Sequence, residues 1–259
     1  MKNTVQPDIL NKGSPTYVGN IRLNMKGIRI KMDERPMLKK IFEEIQDGRN
    51  IDDIIRFTDD FEKLMSYYWC ALCEVETKFK VLDNQLSLGK KRNPIESIKT
   101  RLKSVQSIQG KLNKLGLEFN CNAIEKNLSD VAGIRVICSY IDDIYMLAEC
   151  LLKQDDVKLI QWKDYIKEPK KNGYRSLHLI IEIPIFLANE KKMVRAEVQL
   201  RTIAMESWAN LEHRMRYKKT LSADVEKKVS QMLSSCADMS LQLDVQMQEI
   251  RDLVYQENE

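Results

Sequence analysis

Carboxylates and cations at strand-like spacing carry most of the chemistry in this 259-residue chain. Arg195-Ala-Glu197-Val-Gln199-Leu-Arg201 alternates strictly. As a strand it presents Arg195, Glu197, Gln199 and Arg201 on one face and Ala196, Val198 and Leu200 on the other. Ser129-Asp130-Val-Ala-Gly-Ile-Arg135 places a second acid and a second guanidinium at a helix-to-strand junction. Two acids on separate strands can hold Mg²⁺ through oxygen ligands, as phosphoryl-transfer sites require. A plain solvent-facing side of an antiparallel strand is the competing reading of 195–201. Lys163–His178 adds a third element. Lys167, Lys170 and Lys171 suit phosphate oxygens, Tyr174 offers a flat face for a base, and Asn172-Gly173 supplies a tight turn. Its competing reading is a solvated hairpin loop.

A net charge of only +4 excludes a protein that coats polyanions generically, so a phosphate partner must be met by a local patch. One exists: between Lys90 and Lys114 there are eight Lys or Arg residues (90, 91, 92, 99, 101, 103, 111 and 114) against the single acid Glu96. Other chemistries are poorly supported. The chain has no Walker A motif, no G-x-G-x-x-G, no H-E-x-x-H and no nucleophile elbow. His178 and His213 are its 2 histidines and neither is followed by Asp, so a histidine-rich metal hydrolase site cannot be built. The 6 cysteines are scattered, and Cys70-x-x-Cys73 sits in a helical apolar pattern as expected core thiols. No apolar run is long enough for a membrane span or a signal-peptide core, which predicts a cytoplasmic protein.

The elements that must position these groups alternate between helix and strand. Residues 1–35 are expected to be a mobile extension, and Met37–Asp47 a short helix. Phe61, Leu64, Tyr68, Leu72, Val75, Phe79, Leu82 and Leu86 predict a long amphipathic helix opened by Thr58-Asp59-Asp60. Strands are predicted at Ile95–Leu102, Gly133–Cys138, Val157–Trp162, Leu177–Ile185 and Met193–Leu200. Helices are predicted at Ser104–Leu115 and Asp142–Gln154. A hairpin return at Asn189-Glu190 makes the sheet mixed, an α+β fold. From Leu221, apolar residues from Val225 through Met239 to Val254 recur at three- and four-residue steps. That seam packs on the first long helix or joins subunits.

Arg101-Leu-Lys103-Ser-Val-Gln-Ser107-Ile-Gln-Gly-Lys111, Asp130-Val-Ala-Gly-Ile-Arg135, Lys170-Lys-Asn-Gly-Tyr174-Arg-Ser-Leu-His178, Glu197-Val-Gln-Leu-Arg-Thr-Ile-Ala-Met and Trp208-Ala-Asn-Leu-Glu212-His213 stand in order over roughly 95–219. Together they resemble the synthetase domain of RelA/SpoT-type enzymes, specifically the stand-alone small alarmone synthetases. The resemblance implies a nucleotidyltransferase-like mixed sheet and transfer of pyrophosphate from ATP to the 3′-hydroxyl of GDP or GTP, with release of AMP. By position, Arg101, Lys103, Ser107, Lys111 and Lys114 would cradle the ATP phosphates, and Arg101 and Arg135 would sandwich adenine. Asp130 and Glu197 would hold Mg²⁺, with Glu197 activating the 3′-hydroxyl. Tyr174 would stack on guanine, and Lys170 and His178 would meet acceptor phosphates. Glu206 and Glu212 would complete the acceptor site.

Relatives often carry Asp or Asn at the position of Glu206, where it reads the guanine edge; Glu is one methylene longer. Ser97-Ile-Lys-Thr100 does not match the segment that forms an allosteric cleft in some relatives, so product activation is not assumed. The family's hydrolase half is not expected. The resemblance further implies a homo-oligomer, a tetramer, with residues 36–219 as the catalytic unit and 220–259 as a packing or assembly helix. The choice among guanine nucleotides, and any nucleic-acid partner, stay open. Two other readings remain: another nucleotidyltransferase of the same fold, or a catalytically silent guanine-nucleotide or RNA-binding regulator.

Overall fold

The computed structural model describes residues 51–88, 93–216 and 222–256, apart from the side chains of 51–55 and 216. The expected extension over 1–35, the expected helix at 37–47 and the Lys90–Arg92 end of the basic run lie outside the described residues. The described elements are α1 (Ile51–Ser87), β1 (Ile95–Leu102), α2 (Val105–Lys114), α3 (Cys121–Asn127), β2 (Ala132–Cys138), α4 (Ile141–Leu152), β3 (Lys158–Asp164), β4 (Leu177–Phe186), β5 (Lys191–Thr202), α5 (Ile203–Arg216) and α6 (Ala223–Gln256).

The strands form one five-stranded sheet in the order β1-β2-β5-β4-β3. β2 and β5 run parallel, and every other neighbouring pair is antiparallel. The mixed sheet expected from the hairpin return is therefore present, and Leu187 N–H closes that return on the Glu190 carbonyl at 2.8 Å. Alternation divides the sheet into two faces. Ala196, Val198 and Leu200 of β5 and Ile134 and Val136 of β2 are fully or almost fully buried, under α1 and α4. From α1 the core takes Leu64, Tyr68, Leu72, Val75 and Phe79, and from α4 Ile144, Leu147 and Leu151. Each such side chain contributes about 1.5–3 kcal/mol by leaving water, which makes this the stiff side of the sheet. The other face carries mostly charged and amide side chains, with Ile137 and Ile180 in register with Arg201 and Glu197.

Several expectations are corrected. Thr58-Asp59-Asp60 does not open the first helix, because α1 already begins at Ile51. Ile51, Ile54, Ile55 and Phe57 carry the apolar period further upstream, and Asp59 and Asp60 simply sit on its exposed side. Cys73 is exposed and Cys70 half-buried on α1, so the pair is not a set of core thiols. The short helix α3 was not foreseen. The Asn120 side chain caps it by accepting from Ala123 N–H at 2.8 Å, and Ile124 is its buried residue, too brief a pattern to show periodicity.

α6 packs chiefly on α5 and more lightly on α4, not along α1 as one expectation had it. Leu233 and Ala237 meet Trp208 and Ala209 of α5, and the Trp208 indole N–H donates to the Leu233 carbonyl at 3.0 Å. Most of the predicted apolar seam faces outward, with Met232, Met239, Leu243, Ile250 and Val254 exposed, while Val229 of the seam packs against the Trp208 cluster. Asp244 is the buried acid on the packed side. It accepts from Thr202 Oγ1 at 2.7 Å, and that oxygen in turn accepts from Met205 N–H at the start of α5.

Burial pushes the Asp244 carboxyl up from 3.8 to about 6, against the opposing pull of the Thr202 hydrogen bond and Arg175. Stability from this group is therefore complete below pH 3.8 and is lost as pH rises through about 6. Asp244→Asn keeps an acceptor for Thr202 and removes the charge. Thermal melts across this pH range should show a flatter curve for the variant and a melting temperature a few degrees higher at neutral pH. A curve parallel to the unmodified protein would contradict the assignment.

Candidate active site

Strand register brings the chemical groups onto one face. Lys99 and Arg101 of β1 lie opposite Arg135 and Gly133 of β2, and these lie opposite Gln199 and Glu197 of β5. Gln199 faces His178 of β4, which faces Lys163 of β3. A cavity of about 330 Å³ opens on this face, and Arg101, Lys103, Asp130, Arg135, Glu197 and Gln199 line it. Asp130 reaches it from the loop between α3 and β2. Lys103 reaches it from the turn before α2, where Ser104 caps the helix by accepting from Ser107 N–H at 3.3 Å.

Each carboxylate at the site is paired. Asp130 accepts from Lys103 and Lys111, both at 2.8 Å. Burial would raise its pKa, but the two ammonium groups outweigh burial and hold it below the ordinary carboxylate range. Glu197 meets His178 Nδ1 at 3.1 Å and accepts from Gln199 Nε2 at 2.8 Å. Burial and the nearby Asp130 charge oppose its ionisation, yet His178 and Gln199 prevail and its pKa is lowered too. Two ionised carboxylates thus face one cavity. Glu206 is almost buried and accepts from Arg201 at 2.9 Å, Asn210 at 3.0 Å, Arg135 at 3.1 Å and Lys99 at 3.3 Å.

The Lys163–His178 segment is built as a rigid shelf. The Asp164 carboxylate accepts from the backbone N–H groups of Ile166 and Lys167 and from the Tyr145 hydroxyl. That fixes Tyr165, whose ring lies edge-on to Tyr174 and His178. Gly173 N–H donates to the Lys170 carbonyl at 2.8 Å, closing the tight turn. Lys170 Nζ sits 4.5 Å from the Tyr165 ring centre and 4.7 Å from that of Tyr174. Burial there, with Lys163 and Arg201 close by, lowers the pKa of Lys170 despite the attraction of Glu197. The Tyr174 hydroxyl meets His178 Nε2 at 2.8 Å.

Known proteins share this chain's sequence pattern and fold. A family model described as a region found in RelA / SpoT proteins matches residues 100–222. GTP pyrophosphokinase YwaC of Bacillus subtilis (strain 168) is 41% identical over 198 residues, covering 76% of this chain and 93% of that protein. The crystal structure of small alarmone synthetase 2 from B. subtilis aligns with a TM-score of 0.66 at 38% identity, over 74% of this chain and 98% of that one. Small alarmone synthetase 1 from B. subtilis, bound to its product pppGpp, aligns with a TM-score of 0.68 at 32% identity, over 76% and 99%. The chain belongs to the small alarmone synthetase family of GTP pyrophosphokinases.

Most residues expected to form the alarmone synthetase site are brought together. Arg101, Lys103, Asp130, Arg135 and Glu197 share the cavity, Lys111 reaches Asp130, and Tyr174, Lys170 and His178 converge beside Glu197. Ser107 sits in the first turn of α2, hydrogen-bonded to Ser104. Lys114 is exposed in the last turn of α2 and does not line the cavity. Glu212 is held apart from Glu206 and meets the loop through Asn172 at 3.3 Å. Glu206, expected in the acceptor site, is held among Arg201, Asn210, Arg135 and Lys99. Sequence reasoning counted Lys99 in the basic patch and set Gln199 and Arg201 on the polar face of β5, but named none of them, nor Tyr165, as a site residue. For Gln199 and Arg201 the two-residue alternation of β5 was the available signal, whereas nothing in sequence marks Tyr165.

Gly173 has φ +87°, and a Cβ there would stand 2.6 Å from the Ala237 side chain of α6. Gly173→Ala must therefore displace the turn that carries Lys170 and Tyr174, through both the left-handed backbone and the clash. Initial-rate kinetics of this alarmone synthetase should show KM for the guanine acceptor raised roughly tenfold with KM for ATP unchanged. An unchanged acceptor KM would contradict the role of the turn.

Proposed function

We propose that this synthetase transfers the pyrophosphoryl group of ATP to the 3′-hydroxyl of GDP or GTP, making guanosine tetra- or pentaphosphate and AMP. The observation that carries this reading is the cavity with ionised Asp130 and Glu197, between a cationic group of side chains and a mixed aromatic, histidine and lysine cluster. Arg101, Lys103, Lys111 and Arg135 stand on one side, and Lys170, Tyr174 and His178 on the other. The first set suits a triphosphate and a purine, the second a guanine nucleotide.

Lys103 and Lys111 neutralise Asp130. When ATP enters, these ammonium groups turn to its phosphates. The acceptor oxygen O3′ then bonds to the β-phosphorus while the bond from that phosphorus to the α–β bridging oxygen breaks, and AMP leaves with that oxygen. Glu197, ionised at neutral pH, takes the 3′-hydroxyl proton, and His178 behind it steadies the carboxylate. Such a reaction needs positioning and charge neutralisation more than covalent participation by the protein.

Asp130 and Glu197 fit Mg²⁺, since both are ionised oxygen donors on one cavity and a hard cation takes such donors together with phosphate oxygens and water. When bound, Mg²⁺ supplies charge neutralisation on the phosphates. The outward apolar side of α6 supports self-association, a tetramer by the family resemblance. No helix among the described residues is long and apolar enough to cross a membrane, and ATP and GTP as substrates support a cytoplasmic site of action.

Incubating the chain with ATP, Mg²⁺ and GDP or GTP, and weighing the products, tests this reading. It predicts AMP and a guanosine product heavier by one diphosphate. Release of pyrophosphate instead would point to a nucleotidyltransferase, and binding without turnover to a silent regulator. Glu197→Gln and Asp130→Asn should each lower kcat by about 10²–10⁴-fold while circular dichroism stays unchanged. Full activity in either variant would overturn the mechanism.

A further inference from the structure

Arg201, at the end of β5, is only 4% exposed and touches both sides of the acceptor machinery. Its Nη2 donates to the Tyr174 hydroxyl and, at 3.3 Å, to Gln199 Oε1. From Tyr174 the contacts continue to His178 Nε2 at 2.8 Å and from His178 Nδ1 to Glu197 Oε1 at 3.1 Å. From Gln199 they continue through Nε2 to Glu197 Oε2 at 2.8 Å. Two arms therefore leave one guanidinium and end on the two oxygens of one carboxylate. A single proton assignment satisfies both. Tyr174 accepts from Arg201 and donates to His178 Nε2, so Nδ1 keeps its proton and donates to Glu197.

Glu206 supplies the opposing charge. Its Oε2 accepts from Arg201, and its Oε1 accepts from Arg135, Lys99 and Asn210. Three of these donors share Oε1 and one meets Oε2, and loss of the Glu206 charge would leave Arg201 and Arg135 partly buried without a counter-charge, which is unfavourable. The Nε–H groups of both arginines already lack a hydrogen-bond partner among the described residues.

We propose that Arg201 is a positioning residue that sets Tyr174 and Glu197 relative to each other, and that Glu206 is its buried counter-ion. The proposal rests on the acceptor site described under the proposed function.

The test compares GDP with inosine diphosphate, which lacks the guanine 2-amino group, as acceptors for the full chain at saturating ATP. Under this proposal Glu206→Gln lowers kcat/KM roughly tenfold for both acceptors, because it weakens an ion-pair hub and not a base contact. The ratio between the two acceptors stays within about twofold of the unmodified protein. Arg201→Lys keeps the charge but loses the forked donor pattern, so kcat falls more than about tenfold while KM for ATP is unchanged. A loss confined to GDP in Glu206→Gln would overturn the counter-ion role, and an unaltered kcat in Arg201→Lys would overturn the positioning role. If Arg201→Lys proves unfolded in a thermal melt, the acceptor ratio of Glu206→Gln decides alone. An unmodified chain that makes no product from either acceptor sinks the acceptor-site reading itself and this proposal with it. That outcome is distinct from normal turnover with a shifted ratio.

Discussion

Charges on the inner part of a sheet face must be paired before the sheet can close, because an uncompensated buried ion costs several kcal/mol. The polar face of this sheet meets that constraint with three carboxylates, each enclosed by donors. Asp130 sits between Lys103 and Lys111, Glu197 between His178 and Gln199, and Glu206 among Arg201, Arg135, Lys99 and Asn210. The parallel pairing of β2 with β5 makes this possible, since it sets Gly133 beside Glu197 and Arg135 beside Gln199. Gly133 lines the cavity without adding a side chain to it.

The same pairing explains how the site can be both stable and reactive. A cation already held by a carboxylate can turn to a phosphate without first being stripped of water, and fixed dipoles need no reorganisation during transfer. The other face supplies the rigidity. Val198 and Leu200 lock β5 onto the core under α1 and α4 while Glu197 and Gln199 point the opposite way. α6 adds a second support, because Ala237 packs at Gly173 and the Ala237 carbonyl accepts from Arg175 at 2.9 Å, tying the acceptor turn to the C-terminal helix.

Much of this was legible in sequence wherever a period ran long enough. The alternation over Arg195–Arg201 correctly put four polar residues on one face, and the three–four spacing from Phe61 to Leu82 correctly marked the core side of α1. Local signals failed where a tertiary partner decides. Thr58-Asp59-Asp60 resembles a helix start, yet the helix continues upstream through it. The seam of α6 was visible, but which side of that helix packs inward was not, because the contact at Ala237 depends on a small residue opposite Gly173. Glu206 shows the same limit. Its residue type fits a base reader, and only the convergence of β1, β2 and β5 reveals three cations around it.

The central claim is that this face holds two nucleotides for direct attack and contributes no nucleophile of its own. Its most direct test is the configuration at the transferred phosphorus, followed with ATP made chiral at the β-phosphorus by sulfur substitution. A single in-line displacement predicts inversion in the guanosine product. Net retention would require a covalent enzyme intermediate and would contradict the account.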